Sequence, residues 1–220
     1  MKISKYFILL FTYISFFGIA QNQYDDLPIG QKIMIKESQS PVFSTAKLGS
    51  GTNPIVLTTG PEQQCNSAIP VCQNIYTTST SYSGNGSSQE IPGNTCLGSN
   101  ELNSVWYTFT SSSGGNIAFN ITPNVIGQDY DFALYNLTGT NCSAISSGAL
   151  TPVRCNFSAT GGVTGLSSSG TNASEPASGP NQSTVLATTA GQTYVLIISN
   201  YSSSSNGYQL DFTPGTASIF

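Results

Sequence analysis

The 220-residue chain contains no histidine. That removes Ser-His-Asp and Cys-His catalysis, and every His-ligated zinc or haem centre. Charge is scarce as well: 7% of residues are charged, well below the roughly 25% of an ordinary soluble domain. Six basic residues face ten acidic ones, and from Cys65 onward Arg154 is the only base. This argues against nucleic-acid binding, which needs clustered Lys and Arg to neutralise phosphates. There is no Cys-x-x-Cys, so a thiolate metal site has little support. After residue 20 no apolar run approaches the roughly 20 residues of a membrane span; Tyr194–Ile198 is strand-sized.

What replaces charge is hydroxyl and amide. Ser and Thr number 57, with 22 Gly, 11 Pro, 11 Tyr and 11 Phe, a mixture typical of all-β chains. The beginning reads as a secretory signal over 1–20. Lys2 and Lys5 form its positive end, Tyr6 to Phe17 its apolar body, and Gly18-Ile19-Ala20 a small-residue cleavage site before Gln21. No Cys follows that site, so a lipid anchor is not expected. All five cysteines (Cys65, Cys72, Cys96, Cys142, Cys155) fall in the exported part, where disulfides persist. An odd count leaves at least one thiol unpaired within the chain. Loops of modest length suggest Cys72–Cys96 and Cys142–Cys155, although spacing alone fixes no pairing.

Residues 21–61 read as a lead-in, punctuated by Pro28, Pro41, Gly49, Gly51 and Pro54, with short strands expected at 31–36 and 54–58. From residue 62 strand signals recur between Gly, Asn and Ser clusters. Val105–Phe109 and Asn116–Ile121 flank Ser-Ser-Ser-Gly-Gly, which suggests a hairpin. In the next strand Tyr130, Phe132 and Leu134 share one face, and Asp129, Asp131 and Ala133 the other. Segments 184–188, 192–199 and 207–212 complete the set, and no long 3.6-residue apolar period occurs. The expectation is one all-β domain over 62–220, a jelly-roll-like antiparallel β-sandwich of about eight or nine strands. The Gly/Ser/Asn run at 161–183 reads as a long insertion between strands.

Chemistry is sparse. Asp129 and Asp131, at i and i+2, put two carboxylates on one side of a strand, where like charges need a compensating partner. Calcium takes such oxygen ligands, with Glu101 as a candidate third; Arg154 paired with one Asp is the plainer reading. A glycosidase would draw on Glu90, Glu101, Asp129 and Asp131, but nothing places one of them in an apolar pocket. Trp106, Tyr107 and Phe109 read as core. Tyr76, Tyr82, Tyr201 and Tyr208, near polar segments, are the better candidates for exposed contacts with glycans. Eight Asn-x-Ser/Thr sequons occur, as expected by chance in so Asn- and Ser-rich a chain.

Several stretches together carry a resemblance: Cys65-x-x-Ala68-Ile69-Pro70-Val71-Cys72, Tyr82-Ser83-Gly84-x-Gly86, Gln89-Glu90-Ile91-Pro92 and Cys96 through Phe109. Asp129-Tyr130-Asp131-Phe132-Ala133-Leu134-Tyr135-Asn136-Leu137-Thr138-Gly139, Val153-Arg154-Cys155-Asn156, Ala190 through Leu196 and Leu210-Asp211-Phe212 follow. Over about residues 62–220 the chain resembles the amino-terminal module of gliding-motility-associated, type IX-secreted surface proteins of the Bacteroidota. Its second half is similar to pre-peptidase carboxy-terminal (PPC-like) β-sandwich domains. The resemblance implies a non-enzymatic module of a surface or secreted adhesin, with glycans or other surface proteins as partners. It supplies no catalytic residue. The alternative it leaves open is an accessory domain of a secreted peptidase or glycoside hydrolase. Such proteins continue into repeats and a sorting domain, so type IX machinery is a partner only if a sorting domain follows Phe220; otherwise the chain is expected to stay periplasmic.

Overall fold

The computed structural model describes residues 27–30, 32, 59–93, 95–97 and 101–219. Thirteen strands, a four-residue helix, Ser143–Ser146, and two 3₁₀ turns, Pro61–Gln63 and Cys65–Ser67, are found among them, and Ile29, Gly30 and Lys32 are helical. The strands are β1 (Ile69–Pro70), β2 (Ile75–Thr77), β3 (Val105–Thr110), β4 (Gly115–Ile117), β5 (Phe119–Pro123), β6 (Tyr130–Asn136) and β7 (Arg154–Asn156). They continue with β8 (Thr164–Ser167), β9 (Ser174–Glu175), β10 (Gln182–Thr184), β11 (Leu186–Thr188), β12 (Thr193–Asn200) and β13 (Tyr208–Asp211). A six-stranded sheet ordered β1-β3-β12-β6-β7-β9 packs on a five-stranded sheet ordered β10-β8-β5-β13-β2, with β11 and β4 as a separate pair. The fold is an all-β sandwich. Its central ladders are antiparallel, and three short edge pairings, β1 with β3, β8 with β10 and β7 with β9, are parallel.

The six-stranded sheet is buried on both faces, and the period of two shows which residue serves which face. Val105, Tyr107 and Phe109 of β3, Tyr130, Phe132 and Leu134 of β6, and Tyr194, Leu196 and Ile198 of β12 face the second sheet. There they meet Phe119, Ile121, Leu166, Tyr208 and Leu210. The rings pack edge to face, Phe119 on Phe132 at 5.0 Å and Phe109 on Phe212 at 5.4 Å, as aromatic quadrupoles prefer. The alternate residues Trp106, Ala133, Tyr135, Val195, Ile197 and Cys155 form a second core on the outer face. Among the described residues no sheet covers that side. Both ends of the arm over 61–97 lie there, with Cys65, Ile91 and Leu97, together with Cys142 and Ile145 of the helical corner, while its middle packs Val71, Tyr76 and Tyr82 on the inner core.

Two disulfides tie this cover down: Cys65–Cys142, with Cα atoms 5.8 Å apart, and Cys96–Cys155, at 6.5 Å. Cys72 is exposed and free. The sequence-based pairing of Cys72 with Cys96 and Cys142 with Cys155 is thus wrong, while a single leftover thiol is right. Proximity in sequence misled because the arm crosses the sheet, so the bonds close separations of 77 and 59 residues.

Three further expectations are corrected. Residues 105–109 and 116–121 make no hairpin. β3 pairs with β12 and β1, while β5 belongs to the other sheet, so the Ser-Ser-Ser-Gly-Gly link crosses between layers. The run 161–183 is no insertion, because it holds β8, β9 and the start of β10. Glycine makes this possible. At Gly165 (φ +155°) a Cβ would overlap the Phe119 carbonyl, and at Gly170 it would overlap the backbone of Ser183. The strands approach where only hydrogen fits. In the lead-in, Ile29, Gly30 and Lys32 are helical, with the Lys32 N–H bonded to the Pro28 carbonyl at 3.1 Å; of the strand expected over 31–36, Lys32 alone falls among the described residues, and it is not extended. The signal segment and the strand at 54–58 lie outside the described residues. No helix among the described residues is long and apolar enough to cross a membrane.

Candidate functional site

The buried acids gather on the outer face of the six-stranded sheet and the segments leading into it. Glu101 precedes β3 and is 2% exposed. Its Oε1 accepts from the Ser104 hydroxyl (3.1 Å) and the Trp106 indole N–H (3.2 Å). Its Oε2 accepts from the backbone N–H groups of Glu90 (2.7 Å) and Ile91 (3.3 Å). The Glu90 carboxylate in turn accepts the Cys65 N–H at 2.6 Å. These two acids form a relay that fastens the arm to the sheet beside the Cys65 disulfide. Burial pushes the Glu101 carboxyl up to about 7, with the Glu90 charge adding and the donated hydrogen bonds opposing. Glu90 is raised by burial too.

Asp129 and Asp131 are 2% and 1% exposed. Asp131 stands in register with Ser199 of β12 and shares the face of Ala133 and Tyr135. The Asp129 N–H donates to the Ser202 hydroxyl (2.7 Å), and its carbonyl accepts the Ser202 N–H (3.1 Å). Tyr201 lies near both, its phenol raised by burial and then by the charges of Asp131 and Asp129. Among the described residues no three Asp, Glu, His or Cys side chains converge as a metal site would require. Glu101 is therefore not drawn in with the Asp pair, as the three-ligand calcium set needed. Arg154 is engaged elsewhere: its guanidinium donates to the carbonyls of Val153, Thr184 and Val185 at 2.6–2.8 Å. It splices the β10–β11 link onto β7, and burial lowers its pKa.

A shallow groove of about 460 Å³ opens between the arm and the β6–helix corner. Thr138, Thr140 and Asn141 form one wall, Asn66 and Ala68 the other, and Val195 part of the floor. The Cys65–Cys142 bond joins the two walls, and among the described residues none that lines the groove is charged. Of the aromatic candidates, Tyr201 and Tyr208 are buried at 3% each, contrary to expectation. The Tyr208 hydroxyl meets that of Tyr107 at 2.9 Å inside the core. Tyr76 and Tyr82 are half-buried, and Tyr82 bonds Glu62. Trp106 is core, as read from its strand.

The groove and the Glu90–Glu101 relay escaped sequence reasoning. Their parts come from segments far apart in the chain, joined by pairings that no local spacing reveals. No family model matches the chain, and neither a curated protein nor a solved structure does so.

Proposed function

We propose that this chain is a non-catalytic, exported β-sandwich module of a cell-surface or secreted protein of the adhesin kind, acting in binding or structural support. The observation that supports it most is the stapled outer cover. An arm with little sheet pairing of its own lies across a buried face, fixed by two disulfides that hold only in an oxidising compartment. The neutral, hydroxyl- and amide-lined groove suits an uncharged polar partner such as a glycan, or a neighbouring surface protein. The resemblance to gliding-motility-associated surface proteins leads to the same reading.

Two measurements test it. The first fractionates the native host with antibody to residues 65–220. The proposal expects the antigen in the outer-membrane or culture-supernatant fraction, with Cys72 as the one thiol that alkylates; cytosolic antigen with five reactive thiols would overturn it. The second is a glycan array and surface pull-down with wild type and Asn141→Ala. Binding that falls about tenfold in the variant supports the groove as the contact, and equal binding by both removes the groove from the account.

A further inference from the structure

The groove beside the Cys65–Cys142 bond offers a more definite chemistry than its lack of charge alone. Asn141, exposed on one wall, has its amide held from behind. Its Oδ1 accepts the Ser143 N–H at 3.0 Å and the Ser143 hydroxyl at 2.6 Å. With the carbonyl end so engaged, what the side chain offers a ligand is Nδ2 and its two N–H donors.

Thr108 supplies the complementary half. Its hydroxyl proton goes to the Tyr194 carbonyl at 3.1 Å, so toward the groove its Oγ1 can only accept. Thr108 lies on β3 beside the arm, where its carbonyl accepts the Val71 N–H at 2.8 Å, whereas Asn141 belongs to the opposite wall. Val195, buried and in register with Thr108, and the half-buried Ala68 add a small aliphatic surface.

A held donor, an acceptor and an aliphatic surface match the carbonyl oxygen, the N–H and the methyl of an acetamido group. Its amide is planar and trans, so the oxygen and the N–H point to opposite sides. An extended peptide also carries amides, but it is captured on an open sheet edge. β3 and β12, which contribute Thr108 and Val195, are interior strands paired on both sides.

Taking the groove as the contact proposed above, we infer that it binds the 2-acetamido group of an N-acetylated sugar. The Asn141 Nδ2 donates to the carbonyl oxygen, the Thr108 Oγ1 accepts the N–H, and the methyl lies on Ala68 and Val195.

The test titrates the disulfide-intact chain, after signal removal, with triacetylchitotriose and with cellotriose, and follows the groove amides by NMR. The two sugars differ only in acetamido against hydroxyl. Wild type should bind the acetylated one about tenfold more tightly. Equal binding, or binding of neither, would overturn the inference. So would trialanine bound as tightly as the acetylated sugar. Binding to isolated cell-wall sacculi and to surface polysaccharide, each competed by triacetylchitotriose, separates two sources of such a sugar; competition on neither overturns it.

The Asn141 Oδ1 also secures the first turn of the helix Ser143–Ser146, so the variant must keep that oxygen. Asn141→Asp does so and removes the N–H donors. It should melt with wild type yet bind triacetylchitotriose about tenfold more weakly. Asn141→Ser repeats the comparison without the added charge. Wild-type affinity in both variants contradicts the assignment. A groove that binds other glycans, and loses them in Asn141→Ala, keeps the proposed function and overturns this inference alone.

Discussion

The two faces of the six-stranded sheet solve the same problem by different means. The inner face meets another sheet, and its aromatic and aliphatic rows interdigitate with no covalent bond between the layers. The outer face meets the segments around Cys65, Ile91 and Leu97, whose regular structure among the described residues amounts to two 3₁₀ turns, Pro61–Gln63 and Cys65–Ser67. That cover is held by two disulfides and by carboxylates collecting backbone N–H groups. A ladder positions a strand many times over, whereas an irregular segment has few constraints of its own. Its ordering entropy of about 1–2 kcal/mol per residue must be offset by cross-links and buried polar contacts. The cover is the part of the molecule that depends on its two disulfides.

Opening both disulfides should separate the faces most strongly. Loops of 77 and 59 residues correspond to about 4 kcal/mol each in the chain-entropy account. Replacing all four bonded cysteines by Ala should therefore lose amide-exchange protection across 61–97 first, with the β3–β12–β6 ladder protected longest. Simultaneous loss across both regions would mean that the faces are one cooperative unit. Attacking the inner face gives the converse result. Phe132→Ala removes a fully buried ring wedged against Phe119 and should cost about 3–5 kcal/mol. It should lower the melting of ladder and cover together.

Glu101 sharpens the comparison at smaller scale. All four of its partners donate, so Glu101→Gln turns an amide N–H₂ toward N–H groups and should cost about 2 kcal/mol. Its pH dependence has a definite sign. A carboxyl raised to about 7 in the folded chain from 4.5 is protonated more readily folded than unfolded. Its contribution is therefore full below pH 4.5 and falls as pH rises to about 7. The loss is at most about 3 kcal/mol, and it flattens above. Ser104 is the one partner that can reverse and accept from the protonated acid. Chemical-denaturant midpoints between pH 4.5 and 8 should show this decline in wild type and lose it in Glu101→Gln. The smallest effect belongs to the fifth cysteine. Cys72 is exposed and unbonded, so Cys72→Ser should shift stability by less than about 0.5 kcal/mol.

Much of the sandwich was legible in the sequence. The alternation at 105–109, 130–134 and 207–212 marked strands and faces, and Trp106 was read as core, because a period of two is a local property. The rest depended on distant pairing. Val105–Phe109 and Asn116–Ile121 look like a hairpin, but they lie in different layers and each pairs within its own sheet. The 161–183 run lacks the bulky residues that signal strands, since its glycines and serines serve close backbone approach. The acids stand out by residue type, but type does not tell their partners. Glu101 was grouped with Asp129 and Asp131 by type, whereas its donors come from residues 90, 91, 104 and 106. The cysteines were paired by short loops, although the bonds exist to fasten an arm across a sheet.

Non-reducing peptide mapping of the protein taken from its native host tests the central claim most directly. The account predicts two linked peptide pairs, Cys65 with Cys142 and Cys96 with Cys155, and Cys72 alone alkylated. Five free thiols, or Cys72 joined to Cys96, would contradict both the stapled cover and the exported module built on it.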